Sequence, residues 1–93
     1  MNSVSAKSAF NLGMTYKKSD DYPNCLKYLK ESLFRNPTYK RAALGIIECN
    51  YYAGNFESTL YWSEKYLKLN QNKQKAQIFR TLALSKLRKL KDS

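Results

Sequence analysis

Between Ser5 and Lys18 the apolar and small residues Ala6, Ala9, Phe10, Leu12, Gly13 and Tyr16 recur at helical spacing, which predicts a first helix ending before Ser19-Asp20-Asp21. Asp21 is placed to cap a second helix, because its carboxylate can accept from first-turn amides and Pro23 is tolerated where those amides lack helical partners. Tyr22, Leu26, Leu29 and Leu33 form the inward stripe of that helix. Asn36-Pro37 ends it, since the proline ring removes a donor and disfavours helical backbone at the residue before it. Thr38 is the expected cap of a third helix running to about Tyr52, with Ala43, Leu44, Ile46, Ile47 and Asn50 on or beside its inner face. Ala53-Gly54-Asn55 is the next turn: Gly54 suits a left-handed C-terminal position and Asn55 an N-cap. Phe56 to Leu69 is then a fourth helix with Phe56, Leu60, Ser63 and Leu67 in one row, broken by Asn70-Gln71-Asn72. The fifth, about Lys73 to Lys91, carries Ala76, Phe79, Ala83, Leu87 and Leu90 on one side and a strongly basic surface on the other.

Two 34-residue frames, Ala6 to Tyr39 and Lys40 to Lys73, bring these elements into register, Ser19-Asp20-Asp21-Tyr22 falling opposite Ala53-Gly54-Asn55-Phe56. Such a period marks stacked helix-turn-helix units. In the first frame Ala9, Leu12, Gly13, Tyr16, Cys25, Leu29, Ser32 and Pro37, and in the second Ala43, Ile46, Gly54, Asn55 and Phe56, resemble the tetratricopeptide repeat family. The second frame departs from it where Ile47, Asn50 and Gln71 replace glycine, tyrosine and proline. The resemblance implies an all-α fold, a right-handed α-α superhelix of about five helices in a single domain over 1–93: one repeat over 6–39, a second over 40–73 and a C-terminal capping helix over 74–93. Small residues let paired helices approach, so Gly13 with Cys25 is the expected tight crossing of the first pair, and Ile47 opposite Thr59 should spread the second.

The resemblance also implies a concave groove lined by the first helix of each pair. Here that face would hold Lys7, Phe10, Asn11, Met14, Lys17 and Lys18, then Arg41, Leu44, Gly45, Glu48, Tyr51 and Tyr52, and finally Lys75. Lys7, Arg41 and Lys75, each 34 residues from the next, would line one rim with cations, Phe10, Met14 and Leu44 would form an apolar floor, and Tyr51 and Tyr52 would add flat contact area. The implied function is a protein-interaction module, a scaffold or adaptor, holding an acidic or amphipathic peptide. The chaperone-tail clamp of one subfamily is not expected, because Phe10, Met14, Gly45 and Phe79 stand where its lysine, asparagines and arginine would be.

Composition narrows the remaining choices. The 93 residues carry a net charge of +10, and residues 73–93 hold seven basic side chains against one acidic. Such an excess favours acidic partners. With no histidine, no glycine-rich phosphate loop and no activated nucleophile, neither an enzyme nor a bound cofactor is expected, and no metal site is drawn by Cys25 and Cys49. Both cysteines fall on the inward pattern and are expected as free buried thiols, with a disulfide between them the less favoured alternative, which mildly favours a reducing compartment. The absence of a signal-like or bilayer-spanning apolar run gives a cytoplasmic location as the default and no membrane insertion. Self-assembly is the alternative function: Ile78, Leu82 and Leu84 lie beyond the stripe of the fifth helix, and two repeats fall short of the roughly three that usually bury a continuous core. Nucleic acid, through Arg80, Lys86, Arg88, Lys89 and Lys91, is disfavoured, since basic residues at a helix C-terminus are ordinary and the repeat core claims several tyrosines.

Overall fold

The Ser5 hydroxyl accepts from the Ser8 amide at 3.0 Å and opens α1 (Ala6–Lys18). This computed structural model describes residues 5–71 and 73–92. The leading Met1 to Val4, Asn72 of the second helix break, and Ser93 lie outside the described residues. After α1 come α2 (Tyr22–Arg35), α3 (Lys40–Tyr52), α4 (Phe56–Leu69) and α5 (Gln74–Asp92), an all-α chain of five helices among the described residues. Each consecutive pair is packed together, and α3 also touches α1 and α5.

The 34-residue period is present in the backbone itself. α3 starts and ends 34 residues after α1, and α4 does the same relative to α2. The turns repeat too: Asp21 donates its amide to the Tyr16 carbonyl at 2.9 Å, and Asn55 donates to the Asn50 carbonyl at 2.8 Å. Just before each of those amides the chain enters positive φ, at Asp20 (59°) and Gly54 (84°). Gly54 adopts this region without a Cβ clash. Asp20 is the unexpected one, tolerated because Asp is among the few side chains that visit it.

Asp21 caps α2 as expected, accepting from the Asn24 amide at 3.3 Å. Thr38 does not cap α3. Its amide and hydroxyl both donate to the Asn36 side chain, at 3.2 and 2.9 Å, leaving Tyr39 in the N-cap position with no side-chain bond. Asn55 occupies the N-cap position of α4, but its side-chain amide is turned to Asn50 Oδ1 at 3.3 Å.

The interior is built from smaller residues than the periodicity suggests. In α2 the buried row is Cys25, Leu29 and Ser32, with Leu26 and Leu33 half-buried beside it. In α4 it is Thr59, Ser63 and Tyr66, whereas Phe56, Leu60 and Leu67 flank it. α3 buries Ala42, Gly45 and Glu48 in addition to Ile46, Ile47 and Asn50, because it packs on four other helices. In α5 Leu87 is half-buried and Leu90 exposed beyond Ala76, Phe79 and Ala83. Leu12 is exposed as well, on a helix that packs only on α2 and α3. Close helix crossings admit small side chains and push large ones to the flanks.

Gly13 does sit at a tight crossing, where a Cβ would meet the Cys25 carbonyl oxygen at 3.2 Å and Leu29 at 2.9 Å. α3 packs less extensively on α4 than α1 on α2. The cysteines are a correction: Cys25 and Cys49 are bonded, joining α2 to α3 with their Cα atoms 6.8 Å apart. The support that free thiols gave to a reducing compartment is thereby withdrawn. The body measures 52 × 29 × 16 Å, longer and flatter than a closed globule of this length.

Candidate functional site

Glu48 organises the face made by α1, α3 and α5. Its carboxylate is buried, the residue only 8 % exposed, and it takes Lys17 Nζ of α1 on Oε2 at 3.0 Å and Lys75 Nζ of α5 on Oε1 at 2.9 Å. One acid thus ties three alternate helices together. A buried carboxylate is costly without partners, and two ammonium groups at bonding distance supply them.

This bridge revises the expected groove. Lys75 is not a free rim cation, Lys17 is likewise engaged with Glu48, and Glu48 is a buried tie rather than an exposed lining residue. Arg41 is exposed but lies with its guanidinium carbon 6.0 Å from the centre of the Phe10 ring. Lys7, also exposed, meets no carboxylate among the described residues. Phe10 is half-buried and stacked on Tyr39 at 5.3 Å. Met14 and Leu44 are half-buried, packed on the two parts of the core. Asn11 and Lys18 are exposed, and Gly45 is buried against Leu29.

Tyr51, half-buried, and Tyr52, exposed, belong to an aromatic cluster. Tyr51 contacts Phe56 and Phe79, both at 5.5 Å, and Tyr52 contacts Phe79 at 5.9 Å and stacks on Tyr22 at 6.0 Å. Tyr22 donates its hydroxyl to the Asp20 carboxylate at 3.0 Å, and that bond raises its pKa above the usual 10.0 by favouring the protonated phenol. Tyr16 is stacked on Tyr28 at 5.6 Å. These rings pack on one another within the fold, and Tyr52 keeps 53 % of its surface exposed.

On α5, Ile78 and Leu82 are 50 % and 40 % exposed one turn apart, while Leu84 is half-buried. Arg80 pairs with Glu64 of α4 at 3.3 Å. Lys86, Arg88, Lys89 and Lys91 remain exposed along its last turns. No described helix is long and apolar enough to cross a membrane.

A concavity on another side of the molecule was not anticipated. A cavity of about 710 Å³ opens between α2, the start of α3, and α4, walled by Leu33, Phe34, Ala43, Trp62, Tyr66 and Leu69 and bordered by Lys30, Lys40 and Lys65. Its sequence signal is faint: Phe34 and Leu69 are large apolar residues off the inward stripes, each near the end of its helix and close to a lysine. No family model, curated protein or solved structure matches the chain.

Proposed function

We propose that this chain is a tetratricopeptide-like interaction module that holds an acidic or amphipathic segment of another protein on its α1–α3–α5 face. The observation that carries this reading is the Glu48 bridge, which aligns those three helices as one surface. The 34-residue recurrence of helix bounds and turn bonds supports the repeat character. Around the face Lys7, Lys17, Lys18, Arg41 and Lys75 outnumber the single acid Glu48, so an anionic ligand is favoured. With Lys17 and Lys75 already engaged, ligand carboxylates fall to Lys7 and Arg41, and apolar side chains to the half-buried Phe10, Met14 and Leu44.

Replacing Phe10→Ala or Arg41→Glu is expected to weaken an acidic peptide ligand by about tenfold or more, roughly 1.4 kcal/mol, in fluorescence-anisotropy titrations. Unchanged affinity in both variants, with helicity retained, would end the reading. The second reading is self-assembly through α5. It rests on the neighbouring exposure of Ile78 and Leu82, which a second copy could cover.

A further inference from the structure

The cavity between α2 and α4 lies outside the face just described and is not needed for that reading. Its volume of about 710 Å³ falls within the roughly 300 to 1,000 Å³ of sites that engulf a ligand. Phe34 and Leu69 at its edge are 82 % and 75 % exposed, large apolar side chains left in water. Lys30 comes from α2, Lys40 from α3 and Lys65 from α4. Lys65 Nζ lies 5.4 Å from the centre of the Trp62 ring, which leaves it able to meet a carboxylate. No Asp or Glu lines the cavity among the described residues, and none of the three lysines is ion-paired there.

Charge selects the occupant. A second copy docked through the same surface would set three lysines against the same three, with no acid to offset them. Three cations contributed by three separate helices also match several spaced anions better than one headgroup. We infer that this cavity docks an acidic amphipathic helix of a partner protein. Its bulky apolar side chains enter between α2 and α4, and its carboxylates meet Lys30, Lys40 and Lys65, in the helix-in-groove manner. The chain would then carry two docking surfaces and could join two acidic partners.

Trp62 is the only tryptophan of the chain and stands in the cavity wall, so its emission reports occupancy without a label. The probe is a set of synthetic helices of about 16 residues with Leu and Phe on one face and Glu elsewhere, titrated beside scrambled versions and beside laurate. A saturable blue shift with the amphipathic peptides is expected. It should weaken by about tenfold or more in Phe34→Ala and in the double variant Lys30→Glu with Lys40→Glu, and stay unchanged in Lys86→Glu, an exposed position of α5 off the cavity. Phe34 and the lysines are exposed, and circular dichroism checks that each variant folds. Binding lost only in Arg41→Glu would overturn this inference and leave the α1–α3–α5 reading standing. Absence of a saturable shift, an equal shift from the scrambled peptides, or a shift from laurate alone would each overturn it.

Discussion

A Cβ on Gly13 would stand 2.9 Å from Cγ and Cδ2 of Leu29, and one on Gly45 would stand 2.7 Å from Cδ1 of the same leucine. The two branches of one fully buried side chain therefore fill the space left by two glycines, one on α1 and one on α3. Gly13→Ala gains about 1 kcal/mol of helix propensity, but overpacking such a site costs about 1 to 3 kcal/mol, and the nearby Cys25 carbonyl is backbone that cannot rotate away. A net loss of about 1 kcal/mol is expected in urea unfolding; a more stable variant would show that Leu29 has room to shift. The crossing at Gly13 was legible because the repeat pattern records contacts inside a helix pair. Gly45 was assigned to the open groove, since its contact with Leu29 is made between one helix pair and the next.

At the scale of elements, α2 and α3 are held by more than packing. The bond between Cys25 and Cys49 spans a sequence separation of 24 and ties the α1–α2 pair to the α3–α4 pair. By loop entropy its reduction is expected to cost about 3.5 kcal/mol, read as a lower urea midpoint in the presence of a phosphine reductant. An unchanged midpoint would mean that the pair contributes nothing in solution. Around the same α3 helix, Glu48 joins α1 and α5, so this one element carries both the covalent and the ionic link along the array. Neither link shows in helical periodicity, which marks both residues only as positions on one helix.

For the whole molecule, charge and shape act together. A net charge of +10 on a body 52 Å long and 16 Å thick keeps most charges near solvent, where salt screens them. Acidic-ligand binding at either surface should therefore weaken as salt rises. Association of copies through Ile78 and Leu82 should do the reverse, because screening relieves repulsion between like-charged chains while apolar burial persists. Light scattering on a sizing column is expected to show the mean mass rising with protein and salt concentration if α5 self-associates. A mass of one chain throughout would remove that second reading and leave hetero-association alone.

Helix bounds, the turns at Asp20 and Gly54, and the concentration of positive charge in α5 were determined by the sequence itself, because caps, prolines, glycines and periodicity act on neighbours along the chain. Even there Asn36 took the hydroxyl of Thr38 and displaced the expected cap, a competition between two polar side chains two residues apart. Tertiary structure alone decided that Glu48 would be buried between two lysines, that Cys25 would meet Cys49, and that Phe34 and Leu69 would frame a cavity. Each of those outcomes depends on how one helix pair stacks on the next, and the angle and distance of that stacking are set by many side-chain volumes at once, with no local residue to announce them.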